Sequence, residues 1–159
     1  MSEKECIKAG VKAPDFTLKD QNDKDFKLSD FAGKKIFLSF HPLAWTAVCA
    51  KQMISLEKNN EKFSALDTIA VGISVDTVPS KRAWAKELRI EKTRLLSDFW
   101  PHGYVANLYR IFRDHDGFSE RANIIIDIDK TVSYVQLYDI PELPDIQEII
   151  DVLTTMSDI

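Results

Sequence analysis

Two uninterrupted apolar runs constrain the fold of this chain more than any other feature. They are IFLSF at 36–40 and IAVGISV at 69–75. A strand with one solvated face alternates apolar and polar residues, whereas an unbroken run is typical of a strand that is buried on both faces. Such strands belong to parallel sheets, in which a crossover, usually a helix, joins one strand to the next. The runs therefore predict an α/β chain with a central sheet.

The segment between the runs has the periodicity of a helix. From Cys49 onward, mostly apolar residues recur every three or four positions, which is the spacing of one helical face. That face is Cys49, Met53, Leu56, Asn60 and Phe63. A second helical stretch opens at Pro79 and turns Trp84, Leu88 and Ile90 inward.

The remaining patterns complete a mixed sheet. Strands at 14–18 and 26–31 flank a turn at 21–25. Further along we expect a strand at 95–97, a short helix at 103–112, paired strands at 122–128 and 132–138, and a last helix from Pro144 to Met156. This order predicts a thioredoxin-like fold, in which helices flank a mixed central β-sheet with an N-terminal β-hairpin extension. We expect one domain over 1–159, with 1–12 as a tail.

Composition and charge exclude several classes of protein. Hydrophobic residues make up 45% and charged residues 29% of the 159 positions, and the net charge is −4. That charge argues against a nucleic-acid partner, which a basic surface would suit. No apolar run approaches about 20 residues, so we expect no membrane span. The polar start predicts no signal peptide, and two cysteines without a CxxC spacing predict a reducing, cytoplasmic location.

Cys49 is the first candidate for chemistry. It follows a buried strand and stands in the first turn of the next helix, where unpaired backbone N–H groups and the helix dipole favour a thiolate over a thiol. On that evidence alone, a cysteine in apolar surroundings is more often a packed core residue than a nucleophile.

Pro42 and Thr46 precede this cysteine at a fixed spacing, Pro-x-x-x-Thr-x-x-Cys. Pro42 fixes its own φ, holds His41 in an extended conformation and can form one wall of a small pocket. The Thr46 hydroxyl is placed to accept from a backbone N–H as a helix cap and to donate to a thiolate or a substrate oxygen.

With these residues in place, the stretch HPLAWTAVC resembles the peroxiredoxin active-site motif, PxxxTxxC. The resemblance covers nearly the whole chain: SERANIIIDIDKTV resembles the segment that carries the family's active-site arginine, here Arg121. LLSDFWPHGYVANLYRIF, together with PLAWTAVC, is similar to the one-cysteine branch that includes bacterial alkyl hydroperoxide reductase E.

The resemblance implies a thiol-dependent peroxidase that reduces hydrogen peroxide or organic hydroperoxides. It implies that Cys49 attacks the peroxide and becomes a sulfenic acid, while Thr46 orients a peroxide oxygen. Arg121 would stabilise the thiolate and the transition state, and Pro42 would shield the site. This chemistry needs no haem, flavin or metal, so we expect no cofactor.

Two positions depart from the family pattern. His41 stands where an aromatic residue is common, and Gln52 stands where a glutamate or similar polar residue is frequent. Gln52 can hydrogen-bond Arg121 but cannot form an ion pair with it. Neither departure removes a catalytic group, so the pH profile and the rate are affected more than the class of reaction.

The second half of the cycle needs another thiol. No cysteine follows Cys49, so we expect a one-cysteine cycle in which an external thiol, of the thioredoxin, glutaredoxin, mycothiol or glutathione type, reduces the sulfenic acid. Cys6, in the N-terminal tail, stays open as an unusual resolving cysteine.

The sequence also allows two other functions and predicts an assembly. The first alternative is a non-catalytic thioredoxin-fold module that senses redox state or binds a partner. The second is a disulfide reductase, against which the missing CxxC argues. Trp45, Trp100, Pro101 and His102 form a group of loop residues that predicts a homodimer through the active-site side.

Overall fold

The computed structural model describes residues 5–157 as nine strands and five helices. The strands are β1 (Thr17–Lys19), β2 (Asp25–Lys27), β3 (Lys35–Phe40), β4 (Thr68–Ser74), β5 (Arg94–Ser97), β6 (Phe112–Arg113), β7 (Phe118–Ser119), β8 (Arg121–Ile126) and β9 (Val132–Tyr138). The helices are α1 (Ala47–Lys58), α2 (Asn60–Ala65), α3 (Val78–Leu88), α4 (Tyr104–Leu108) and α5 (Ile146–Ser157).

Seven of the strands form one mixed sheet in the order β2-β1-β5-β4-β3-β8-β9. The three central strands β3, β4 and β5 are parallel, while β8 and β9 on one side and β1 and β2 on the other pair antiparallel. The two apolar runs are β3 and β4, adjacent at the centre, and all six residues of β3 are buried. The predicted thioredoxin-like architecture with an N-terminal hairpin is confirmed.

The sheet separates two core layers. Alternate residues of β3 point to opposite faces, so Leu38 packs in one layer and Phe37 in the other. We call the first the α4 layer, because α4 and the N-terminal segment cover it, with Ile7, Phe16 and Tyr109 among its members. The second is the α1 layer, which α1, α3 and α5 cover. A residue on one face is therefore screened from the other by the sheet.

Several predicted boundaries differ, each because a tertiary or capping hydrogen bond decides it. The predicted strand at 26–31 ends at Lys27, since Leu28 N–H donates to Phe16 O and Leu28–Asp30 form a 3₁₀ turn. The predicted helix from Cys49 to Phe63 begins two residues earlier and breaks at Asn59, whose side chain donates to Ser55 O. The last helix begins at Ile146 rather than Pro144, because Asp145 Oδ1 accepts from Gln147 N–H at 3.0 Å and caps the helix there.

Inward-facing residues of the second helical stretch are largely as expected. Trp84 and Ile90 are buried, but Leu88 is only half-buried because α3 ends beside it. Arg89 takes a left-handed conformation with φ of 57°, and Ile90 N–H closes the helix on Ala85 O. The short hairpin of β6 and β7 was not predicted, since two-residue strands leave no periodicity to detect.

One edge of the sheet is where a site is expected. The parallel strands β3, β4 and β5 all end there, and the loop 41–46 leads from β3 into α1 at the same edge. In open α/β sheets, ligands bind beyond the carboxyl ends of the strands. Within residues 5–157, no helix combines the length and the apolar character that crossing a lipid bilayer requires.

Candidate active site

Cys49 is the third residue of α1 and is almost fully buried, with 1% of its surface exposed. Thr46 is the N-cap, with an extended backbone, and the first bond of the helix runs from Ala50 N–H to Thr46 O. The three preceding N–H groups, including that of Cys49, have no helical carbonyl to bond, so the partial positive charge of the helix start lies at the sulfur.

Arg121 donates to the sulfur of Cys49. It is the first residue of β8, which pairs antiparallel with β3 so that Ala122 lies opposite Phe40 at the end of that strand. From there Nη1 reaches Cys49 Sγ at 3.2 Å, while Nε and Nη2 donate to Ile140 O at 2.9 and 2.6 Å. All three nitrogens of the guanidinium are thus hydrogen-bonded, and its positive charge stabilises an anion at Cys49.

Gln52 links Arg121 to the strands beneath it. One turn after Cys49, its Oε1 accepts from Arg121 Nη1 at 2.7 Å. Its Nε2 donates to Ser39 Oγ at 2.7 Å and to Phe40 O at 3.1 Å. Ser39 Oγ in turn donates to Asn123 Oδ1 at 2.9 Å. Both the oxygen and the nitrogen of the Gln52 amide are therefore hydrogen-bonded. The hydrogen bond to Arg121 is the one that the sequence predicted.

The sequence reasoning missed Ser39 and Asn123. Both are buried polar residues within apolar strands, at positions that alternate with core residues. A polar residue within an apolar strand could have identified them, because a buried hydroxyl or amide requires a hydrogen-bond partner.

The loop that carries Pro42 is held against the neighbouring strand end. Pro42 is buried, and Ala44 N–H donates to Asp76 Oδ2 at 2.8 Å. The same carboxylate oxygen accepts from Ser74 Oγ at 2.6 Å. Trp45 has a φ of 69°, in the left-handed region that non-glycine residues seldom adopt. Asp76, which the sequence reasoning did not single out, fixes the loop in this turn.

Thr46 lies at the exposed rim of the site, and the prediction that its hydroxyl caps α1 is wrong. Its Oγ1 donates instead to Leu43 O at 2.9 Å, and the side chain makes no cap bond. The proton of the hydroxyl is therefore committed to the loop, so the predicted donation to a thiolate or a substrate oxygen is wrong as well, and the oxygen is left as an acceptor.

A buried pair lies behind the loop. His41 and Lys81 are both 0% exposed, and Lys81 Nζ lies 3.2 Å from His41 Nε2. Burial, and then the nearby Lys81 charge, hold the pKa of His41 well below its usual range. Burial also lowers the pKa of Lys81 to about 7, against the opposing charges of Asp76, Cys49 and Asp98.

Gly72 makes room for this pair. A Cβ on Gly72 would collide with Met53 Sδ and lie 3.2 Å from His41 Cε1. The absence of a side chain on β4 thus allows the imidazole to pack between the sheet and α3, where its ring centroid lies 5.4 Å from that of Trp84. Sequence reasoning expected Trp84 in the core but did not find Lys81, since a lysine on a helix is usually solvated.

Cys6 lies on the other side of the sheet from Cys49. It is half-buried, packs against the α4 layer and forms no disulfide, whereas Cys49 belongs to the α1 layer. The structure therefore does not bring the two cysteines together.

Exposed aromatic residues border the site. Trp45 is 54% and Trp100 79% exposed, and both follow strand ends at the same edge, since Ser97 Oγ donates to Asp76 O. Phe99 and Tyr104, which follow β5 and were not predicted, are also exposed. Within residues 5–157, no group of three or more histidine, cysteine or acidic side chains is placed to hold a metal ion.

Known sequences resemble the chain over most of its length. The family described as the AhpC/TSA family matches residues 9–135. Alkyl hydroperoxide reductase E of Mycobacterium tuberculosis is 32% identical over 152 residues, covering 95% of this chain and 99% of that protein. A putative peroxiredoxin of Synechocystis is 34% identical over 139 residues, covering 82% of this chain and 68% of that protein.

Solved structures share the architecture. The reduced 2-Cys peroxiredoxin of Plasmodium vivax is similar with a TM-score of 0.88 and 25% identity, covering 94% of this chain and 82% of that one. AhpC of Mycobacterium tuberculosis has a TM-score of 0.87 at 19% identity, covering 96% of this chain and 99% of that one, and it supports the fold alone.

Replacing Gln52 by leucine tests the network around Arg121. Gln52→Leu leaves a buried guanidinium N–H, Ser39 and the Phe40 carbonyl each short of a partner. We expect the free energy of unfolding, measured by urea denaturation, to fall by roughly 1–3 kcal/mol. A buried polar group without a partner has lost its hydrogen bonds to water and has gained none in the protein.

Met53→Leu is the matched control for that measurement. Met53 is the next residue of α1, is fully buried and makes no hydrogen bond in the network, so a swap of similar volume should cost less than about 1.5 kcal/mol. Equal losses in the two variants would mean that packing, and not hydrogen bonding, is what Gln52 supplies.

Proposed function

Since this chain belongs to the AhpC/TSA family, we propose that Cys49 is the nucleophile of its reaction. Its relatives include peroxiredoxins, and the chain is a thiol-dependent peroxidase that reduces hydroperoxides through a cysteine sulfenic acid. The observation that carries the assignment to Cys49 is the 3.2 Å contact from Arg121 Nη1 to its sulfur at the start of α1.

The reaction moves one oxygen onto sulfur. The thiolate attacks one peroxide oxygen, an S–O bond forms and the O–O bond breaks. Its electron pair leaves with the second oxygen, which takes up a proton to become water or an alcohol. Sulfur is oxidised to the sulfenic acid and the peroxide is reduced, so the step needs no other oxidant or reductant.

Arg121, Thr46 and Pro42 serve this step in three ways. Arg121 is held by Ile140 O and Gln52 before any substrate arrives, so its charge stabilises the transition state without reorganisation. Thr46 Oγ1, whose proton is bound to Leu43 O, accepts from the peroxide hydroxyl and orients it. Pro42, buried and without an N–H, keeps water from the sulfur.

A thiol from outside the chain completes the cycle. Such a thiol condenses with the sulfenic acid to give a mixed disulfide and water, and a second thiol then releases Cys49 and carries away the disulfide. The half-buried Cys6 packs in the α4 layer, so a bond to Cys49 would have to cross the sheet. A thioredoxin-, glutaredoxin-, mycothiol- or glutathione-like reductant and a reducing, cytoplasmic compartment fit this one-cysteine cycle.

A redox sensor or partner-binding module that keeps the fold without the reaction is the weaker alternative. Such a module has no need for a buried cation against its cysteine, since a charge of this kind costs stability unless it is paired. The retention of Arg121 together with Cys49, Thr46 and Pro42 therefore favours the enzyme.

We further propose that two copies of the chain pair through the aromatic edge, defined by Trp45, Phe99, Trp100 and Tyr104. These four side chains are each 45% or more exposed; Trp45 lies in the loop 41–46, and the other three follow the carboxyl end of β5 at the same edge of the sheet. Aromatic residues are enriched at interfaces, and contiguous exposed ones are uncommon on monomers.

Peroxide kinetics test the assigned roles. Stopped-flow mixing with hydrogen peroxide should show no reaction in Cys49→Ser and a rate constant lower by at least about 100-fold in Arg121→Met, since preorganised donors contribute 10²–10³ to such steps. Thr46→Val should lose roughly 10-fold or more, because the acceptor for the peroxide hydroxyl is gone.

Two matched variants control for surface effects. Arg113→Met removes an arginine of the β6–β7 hairpin that pairs with Asp116, and Thr155→Val removes an α5 hydroxyl that also donates to a backbone carbonyl. Both should react like the wild type. An Arg121→Met rate within threefold of wild type would contradict the role of Arg121.

Mass spectrometry after one equivalent of peroxide tests the one-cysteine cycle. With dimedone present, Cys49 should carry the sulfenic-acid adduct to the same extent in the wild type and in Cys6→Ser. A disulfide between Cys6 and Cys49 in the wild type would contradict the proposal.

Analytical ultracentrifugation tests the pairing. At micromolar concentration the wild type should sediment as a dimer and Trp100→Glu as a monomer, since a buried charge opposes association. Ile128→Glu should stay dimeric. Ile128 is an exposed apolar residue just after β8, at the opposite end of that strand from the active site, where Ile126 pairs with Ile36. A monomeric wild type would overturn the proposal.

A further inference from the structure

A row of buried polar side chains lies behind the contact between Arg121 and Cys49, and the proposed reaction gives two of its members no role. Gln52 Nε2 donates to Ser39 Oγ at 2.7 Å, and Ser39 Oγ donates to Asn123 Oδ1 at 2.9 Å. Each of these three residues is only 1–2% exposed. Replacing a buried hydrogen-bonded pair by apolar groups of the same shape is often close to neutral for stability. Stability alone therefore does not account for Ser39 and Asn123.

The amide of Gln52 has one possible orientation, because the groups on its two sides each have a single hydrogen-bonding role. Arg121 Nη1, which only donates, lies 2.7 Å from Oε1, and Phe40 O, which only accepts, lies 3.1 Å from Nε2. The reversed amide would set its NH2 group against a guanidinium and its oxygen against a carbonyl. A glutamate, which the family pattern favours here, has two equivalent oxygens and no such requirement.

Ser39 and Asn123 support that orientation from the sheet. They lie directly opposite each other on β3 and β8, so their side chains share one face of the sheet. Because Gln52 Nε2 donates to Ser39 Oγ, the serine proton must go to another acceptor, and Asn123 Oδ1 is that acceptor. The row thus runs in one direction, from the guanidinium of Arg121 to the amide of Asn123, and the bonds of such a row strengthen one another.

The position of the Gln52 amide matters for the sulfur because both bind the same nitrogen of Arg121. Nη1 lies 2.7 Å from Gln52 Oε1 and 3.2 Å from Cys49 Sγ. This nitrogen carries two hydrogens in the plane of the guanidinium, so the hydrogen bound to Gln52 determines where the other one points. A rotation of the Gln52 amide would therefore turn the donor away from the sulfur.

We infer that Ser39 and Asn123 are positioning residues for the peroxidase reaction, which act through the orientation of the Gln52 amide. In that orientation Gln52 keeps Arg121 Nη1 against the sulfur of Cys49. The inference rests on the proposed role of Cys49 as nucleophile. Ser39 and Asn123 contribute no atom to the reaction, since Gln52 and Arg121 lie between them and the sulfur in this row.

Stopped-flow rate constants with hydrogen peroxide at neutral pH test the inference in the wild type, Ser39→Ala and Asn123→Leu. We expect each variant to react roughly 5- to 10-fold more slowly, because Arg121 is correctly placed for less of the time. The loss should be smaller than in Arg121→Met, since Phe40 O still holds Gln52 and Ile140 O still holds the guanidinium. Circular dichroism checks that every variant is folded at the temperature of measurement.

The pair Ser39→Thr and Ser39→Val separates hydrogen bonding from packing. Both new side chains branch at Cβ and have nearly the same size, but only threonine keeps the hydroxyl. Ser39→Thr should react within about threefold of the wild type, whereas Ser39→Val should be as slow as Ser39→Ala. Ser119→Ala is the control for the loss of a buried serine hydroxyl elsewhere. Ser119 lies in β7, where its Oγ donates to Glu120 O, and its variant should react like the wild type.

A double variant tests whether the effect passes through Arg121. If it does, adding Ser39→Ala to Arg121→Met should change the rate constant by less than about twofold, because the group that Ser39 helps to place is already gone. A packing defect that displaces Cys49 itself would instead slow both backgrounds by the same factor.

Three results would overturn the inference. They are a rate of Ser39→Ala or of Asn123→Leu within about twofold of the wild type, equal rates in Ser39→Thr and Ser39→Val, and an undiminished effect of Ser39→Ala in the Arg121→Met background. If Asn123→Leu does not fold, Ser39→Thr and Ser39→Val decide. Failure of the underlying assignment has a different signature, which is peroxide consumption that persists in Cys49→Ser.

Discussion

The contact between the Arg121 guanidinium and the Cys49 sulfur is the constraint on which the rest of the site depends. A buried guanidinium presents five N–H donors in a fixed plane, so the surrounding residues must supply acceptors at matching positions. Ile140 O takes two of these bonds and Gln52 Oε1 another, which leaves Nη1 aimed at sulfur. Two of the acceptors lie on α1 and the third follows β9, so the position of the guanidinium is fixed by the tertiary fold.

The order of the strands explains how residues 72 positions apart meet. β8 returns antiparallel to β3, so Arg121 at its start lies one residue beyond the pair of Ala122 with Phe40, and the chain leaves β3 directly into the loop before α1. The parallel pairing of β3 with β4 places Asp76 at the same edge, where it binds the loop through Ala44 N–H. One strand neighbour thus delivers the cation and the other holds the loop in shape.

The sequence was sufficient where local chemistry decides structure and insufficient where tertiary contacts do. The apolar runs predicted β3 and β4 and the spacing from Pro42 to Cys49 predicted the active-site loop, because both are local patterns. Arg121 was found only through a family resemblance, since nothing local distinguishes it from a surface arginine. Lys81 had no local signal at all, and its burial follows from a histidine on another strand end and the missing side chain at Gly72.

The two buried cations Arg121 and Lys81 differ in a way that their surroundings explain. Arg121 spreads its charge over a plane and can satisfy a sulfur, an amide and a carbonyl together, so it makes the contact with the Cys49 sulfur. Lys81 concentrates its charge at one atom, and a neutral imidazole is a weaker partner for it than a carboxylate is. Burial therefore lowers the pKa of Lys81 to about 7, so that its charge responds to pH near neutrality. The charge of Lys81 thus depends on its contact with His41, a position at which this chain departs from the family pattern.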